Sequence, residues 1–123
     1  MEKKRATVLG ASGYTGSELV RFLLSHPAIE ISHLTAEKHA GSKMSEVFPH
    51  LRGLLDLPLH KLDTKLISED TDVVFAALPH GMSASVIKEI YDRDVLMVDL
   101  GADFRICPMN YKKWYGEHPC PEL

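Results

Sequence analysis

Short apolar runs alternate along this chain with stretches whose apolar residues recur at helical spacing. Residues 6–9 predict a first strand, buried on both faces as parallel strands are. From Tyr14 to Leu24, the side chains of Leu19, Val20, Leu23 and Leu24 fall on one side of a helix. That helix must end near Ser25-His26-Pro27, because the residue before proline avoids helical conformation. Residues 29–34 alternate and predict a second strand. Residues 40–62 hold Gly41, Pro49, Gly53 and Pro58 and sustain no period. They read as a short helix or turn around 44–48 and an extended piece near 57–62, an excursion placed at a sheet edge. Residues 72–78 form the clearest buried strand, which stops at Pro79-His80-Gly81. A helix follows over about 82–93, with Ser83 or Gly81 near its cap and Val86, Ile87 and Ile90 inward. Residues 95–100 predict a further parallel strand. The tail from Asn110 carries Tyr111, Trp114, Tyr115, Pro119 and Pro121, with a short amphipathic segment and no further strand.

Strands alternating with helices predict a doubly wound parallel α/β sheet, Rossmann-like, in one domain over residues 1–123. Ligands of such sheets sit beyond the carboxyl ends of the strands. That selects three loops, at 10–16, 78–83 and 101–105. The first reads Gly10-Ala11-Ser12-Gly13-Tyr14-Thr15-Gly16, between predicted strand and predicted helix. Gly10 suits a sharp turn, Gly13 a close approach of backbone to a pyrophosphate, and Gly16 close packing of helix on strand. The N–H groups opening the helix, with the positive end of its dipole, suit phosphate. Ser12 and Thr15 can add hydroxyl donors. The spacing is G-x-x-G-x-x-G rather than G-x-G-x-x-G. After the second strand come Thr35, Ala36, Glu37 and Lys38. An acidic residue there suits the free ribose of NAD and a basic one the 2′-phosphate of NADP. This sequence offers both.

Composition narrows the partners. Hydrophobic residues make up 45% and charged residues 25%, an ordinary globular mix. A net charge of -3 does not recommend nucleic acid. Cys107 and Cys120 make no disulfide framework and no C-x-x-C pair, which points to a reduced, cytoplasmic setting. No apolar run reaches membrane-spanning length, and the one after Met1-Glu2-Lys3-Lys4-Arg5 is too short for a signal peptide.

A catalytic set is harder to find. No tyrosine has a lysine four residues on, which disfavours short-chain-type reductases. The seven histidines form no H-x-x-x-H pair. Cys107, His118 and Cys120 are irregularly spaced, with proline after each cysteine, and do not suit a zinc site. Neither cysteine has an activating neighbour. Arg105 lies beyond a strand end, placed either to grip a phosphate or carboxylate or to pair with Asp103 or Asp99. His80 is either a general acid or a loop-ordering residue.

Taken in order, several pieces resemble one family, the N-acetyl-gamma-glutamyl-phosphate reductases. They are Gly10 to Leu19, His39-Ala40-Gly41, Ser45-Glu46-Val47-Phe48-Pro49-His50-Leu51, Ala77-Leu78-Pro79-His80-Gly81, Ala102-Asp103-Phe104-Arg105 and Lys113-Trp114-Tyr115-Gly116. The resemblance implies an NADPH-dependent oxidoreductase of arginine biosynthesis. In that family a cysteine thiolate attacks an acyl phosphate, phosphate leaves, and hydride reduces the thioester to an aldehyde. It implies that Gly10, Ala11, Ser12, Gly13, Tyr14, Thr15 and Gly16 hold the pyrophosphate. Thr35 and Lys38 would lie near the ribose and its 2′-phosphate, and Leu78, Pro79, His80 and Gly81 would flank the nicotinamide. Arg105 would face the acyl-phosphate substrate.

Three departures stand out. Gly101 replaces a serine frequent before Ala-Asp-Phe-Arg, and Glu37 stands where a basic residue is common, leaving NADP preference to Lys38 or Lys43. The family's Pro-Gly-Cys-Tyr nucleophile motif does not occur, so no catalytic residue is assigned in this chain and the cysteine is expected beyond Leu123. The chain therefore resembles the cofactor-binding part of a longer two-domain enzyme, truncated before the catalytic and dimerisation domain. It is expected to be inactive alone and to belong to a homo-oligomer when complete. The alternatives are a stand-alone nucleotide-binding or sensing module and another acyl-phosphate (aspartate-type) semialdehyde dehydrogenase.

Overall fold

The computed structural model describes residues 2–64, 67, 70–79, 82–90, 93–101 and 108–117. Within them lie five strands: β1 (Lys4–Leu9), β2 (Ile29–Thr35), β3 (Leu59–His60), β4 (Val73–Ala76) and β5 (Leu96–Asp99). Four helices accompany them: α1 (Tyr14–Leu24), α2 (Met44–Val47), α3 (Ser83–Ile90) and α4 (Pro108–Tyr115). A single 3-10 turn, Pro49–Leu51, follows α2.

The strands form one parallel sheet in the order β3-β2-β1-β4-β5. The chain steps outward from β1 through β2 to β3, then returns past β1 to build β4 and β5 on its other side. The winding therefore reverses between β1 and β4, and Leu9 closes both ladders there, opposite Thr35 and opposite Ala76.

The core has two layers. On one face Val20 and Leu23 of α1 pack with Val8 and Leu34, and Met44, Leu51, Leu55 and Leu59 of the irregular excursion fill in beside them. On the other face Leu9, Val74 and Ala76 pack with Val86 and Ile90 of α3 and with Ile67. Each such aliphatic side chain contributes about 1.5–3 kcal/mol when fully buried. Residues 6–9 of β1 are all buried, including Thr7, whose hydroxyl shares a 2.7 Å hydrogen bond with that of Thr71.

Several boundaries differ from expectation for physical reasons. Strand β1 begins at Lys4, because its exposed amino end still pairs with Ile29. Strand β4 stops at Ala76, where the chain turns to sit against Gly10. The extended piece in the excursion is a two-residue strand, β3, at the sheet edge. On the fifth strand Leu96 is 67% exposed, since no helix covers that side of it among the described residues. Helix α4 exposes Met109, Trp114 and Tyr115.

Candidate dinucleotide-binding site

The reversal point between β1 and β4 is where an open α/β sheet leaves a crevice at its carboxyl edge. The turn Gly10 to Gly13 and the start of α1 fill that position. Gly10 has φ +76°, a left-handed conformation that side chains resist. A Cβ on Gly10 would run into the Ala77 carbonyl oxygen and come within 3.3 Å of Leu78 Cδ2. A Cβ on Gly16 would overlap the Gly10 carbonyl oxygen and lie 2.9 Å from its carbon. Gly16 thus lets the helix settle on the turn itself, one step beyond the strand.

Gly13 is different. Its φ is -77°, and a Cβ there would meet only the Gly10 oxygen, at an ordinary 3.6 Å. Nothing inside the described protein requires glycine at this exposed position. What a side chain would fill is the space in front of the helix. There the N–H groups of Tyr14, Thr15 and Gly16 have no intrahelical acceptor, as at any helix start. No acidic side chain occupies the first turn and no side chain caps it. These residues fit a phosphate: an uncapped helix start, a positive dipole end and an open backbone surface.

The turn is braced from both sides. Ala77 N–H donates to the Leu9 carbonyl at 2.9 Å, and Ala11 N–H donates to the Thr35 carbonyl at 2.9 Å. Gly10 N–H donates to Thr35 Oγ1 at 3.4 Å. Gly13 N–H closes back on the Gly10 carbonyl at 3.2 Å. Ser12 is half-buried, Thr15 is exposed, and the Tyr14 ring is 97% exposed beside the helix start.

Thr35 is the last residue of β2 and is buried, with its side chain toward the glycine turn. Glu37 and Lys38 follow in an exposed turn, neither with an ion-pair partner among the described residues. Lys43 lies farther along, in an isolated bridge to Pro58. Leu78 is half-buried against Gly10, and Pro79 is exposed. His80, Gly81 and Arg105 lie outside the described residues, as do Cys107, His118 and Cys120.

At the carboxyl end of β5, Asp99 accepts a hydrogen bond from the Gly101 N–H at 2.9 Å and one from the buried Ser83 hydroxyl at 3.4 Å. This ties the start of α3 to the next strand end. The roles of Thr35 and of the Ser83–Asp99 pair were not evident from sequence, since each joins residues far apart in the chain. Among the described residues no group of three histidine, cysteine or acidic side chains could hold a metal ion. No described helix is long and apolar enough to cross a membrane.

Comparison with known proteins agrees with this geometry. A solved aspartate semialdehyde dehydrogenase with NADP from Candida albicans superposes with a TM-score of 0.72 at 21% identity. The match covers 94% of this chain and 40% of that one, and shows the fold. The N-acetyl-gamma-glutamyl-phosphate reductase of Paracoccus denitrificans is 51% identical over 121 residues, 97% of this chain and 35% of that protein. The LysW-L-2-aminoadipate/LysW-L-glutamate phosphate reductase of Saccharolobus solfataricus is 45% identical over 124 residues, 99% of this chain and 35% of that protein. The chain thus spans about a third of the length of these curated relatives. Residues 5–118 match the family model described as the semialdehyde dehydrogenase NAD-binding domain, and the chain belongs to that family.

Proposed function

We propose that this chain is the NADP-binding part of an acyl-phosphate reductase that converts N-acetyl-glutamyl 5-phosphate to the 5-semialdehyde. The observation that carries the dinucleotide reading is the contrast among three glycines: Gly10 and Gly16 are demanded by the protein's own packing, and Gly13 only by something in front of it. The start of α1 binds the pyrophosphate through its N–H groups. Lys38, exposed just past β2, takes the 2′-phosphate. Leu78 and Pro79, beyond β4, flank the nicotinamide, together with His80 and Gly81. Arg105 grips the acyl phosphate. Bound NADPH supplies the hydride. The substrate assignment draws on the Paracoccus relative. A second reading, a substrate carried on LysW, draws on the comparable identity of the Saccharolobus relative.

Calorimetric titration with NADP and NAD tests the cofactor. NADP should bind more tightly, and Lys38→Ala should weaken NADP about tenfold, roughly 1.4 kcal/mol, without weakening NAD. Tighter NAD binding would assign Glu37 to the ribose instead. Assay of the whole enzyme with each acyl phosphate separates the two substrate readings.

A further inference from the structure

We infer that Thr35 is a positioning residue for the glycine turn, and not a contact to the ribose 2′-phosphate. The inference rests on the dinucleotide reading above and assigns this residue a different task within it. Two consecutive N–H groups of the turn, those of Gly10 and Ala11, both end on Thr35, one on its hydroxyl and one on its carbonyl. The hydroxyl is the one acceptor that Gly10 N–H has among the described residues, at a long 3.4 Å. Thr35 is 7% exposed, so its side chain is held under the turn. Lys38, three residues on, is exposed.

Position matters here because Gly10 has no slack on its other side. A Cβ on it would already run into the Ala77 carbonyl and crowd Leu78. With β4 on one flank and Thr35 on the other, the turn has one path out of β1. That path sets where Gly13 and the first N–H groups of α1 present themselves. Gly16, packed on the Gly10 carbonyl, passes any displacement of the turn directly to the helix start.

The two roles predict different losses. NAD and NADP share a pyrophosphate, so a residue that positions the turn affects both alike. A residue on the 2′-phosphate affects NADP alone. Thr35→Val removes the acceptor at nearly constant shape, and Thr35→Ser restores it. Titration of both variants with NAD and NADP should show Thr35→Val weakening the two by the same factor, about tenfold, and Thr35→Ser recovering most of it. Amide hydrogen exchange in the ligand-free chain reads the same contact without cofactor: Gly10 N–H should exchange at least about tenfold faster in Thr35→Val and near the wild-type rate in Thr35→Ser. A loss confined to NADP, or unchanged protection of Gly10 in Thr35→Val, would overturn the assignment. If the wild-type chain binds neither nucleotide, the proposed function fails while the exchange comparison still decides what Thr35 does. Should Thr35→Val unfold, Thr35→Ala takes its place in both measurements.

Discussion

The two halves of the sheet are finished to different degrees. Around the carboxyl ends of β1 and β2, α1 and the excursion through residues 44–59 cover one face, and Val8 and Leu34 have no exposed surface. Around β4 and β5, α3 closes the opposite face through Val86 and Ile90. The remaining quarter, on the α1 side of β4 and β5, is an open groove of about 590 Å³ floored by Val73, Phe75, Leu96 and Val98. Handedness explains this. Right-handed crossovers that travel from β1 toward β3 place helices on one face, and those that travel the other way place them on the opposite face. No crossover among these five strands can reach the open quarter. The glycine turn sits at the seam, resting on the closed half through Thr35 and on the open half through Ala77.

The comparison breaks most sharply at the seam. Gly16→Ala should destabilise the chain by about 3 kcal/mol in denaturant unfolding, because its Cβ meets backbone that cannot move aside. It should abolish nucleotide binding as well. Gly13→Ala is the control: stability within about 0.5 kcal/mol of wild type, with weaker binding of both dinucleotides. Equal stability losses at the two positions would mean that Gly13 too serves internal packing.

Within the halves, Leu34→Ala should cost about 3 kcal/mol, and Leu96→Ala no more than about 0.5 kcal/mol. Chemically the substitutions are the same, so thermal unfolding of the pair isolates the difference in cover. A Leu96→Ala loss approaching that of Leu34→Ala would show that the face is closed in solution.

Much of this was legible in the sequence where a local signal coincided with a structural need. Helix α1 runs from Tyr14 to Leu24 as expected, since Gly13 opens it, four apolar residues share a side and Pro27 blocks its extension. The parallel sense of β1, β2, β4 and β5 followed from alternation with helices. The exposure of Leu96 was not legible. An apolar run looks the same whether one face or both are covered, and cover is decided by topology. At the site, the glycine spacing marked the turn, but that Gly10 is hemmed in by the protein itself depends on where Ala77 lies. That residue is 67 positions from Gly10 in the chain. That the Thr35 hydroxyl accepts from Gly10 N–H was not legible, because position at a strand end says nothing about which way a side chain turns.

The smallest expected effect lies at the opposite edge, where one carboxylate joins the two halves. Arg5 N–H donates to Asp72 Oδ2 at 2.8 Å, Asp72 N–H donates to the Arg5 carbonyl at 2.8 Å, and Leu96 N–H donates to the Asp72 carbonyl at 3.0 Å. The Arg5 backbone N–H holds the Asp72 carboxyl below its ordinary range, partial desolvation opposes this, and the charges of Arg5 and Lys4 add to the lowering. A depressed folded value means that the carboxylate's contribution is complete above the unfolded value, near pH 4, and is lost as pH falls through the folded one. Wild-type melting temperature should therefore fall more steeply than that of Asp72→Asn between about pH 5 and pH 3, with the two curves converging at the acid end. The slopes differ only if this one side chain carries a titrating link between β1 and β4. Parallel slopes would mean that ionisation of this carboxylate adds nothing to the hydrogen bond that Asp72 N–H already makes to the Arg5 carbonyl.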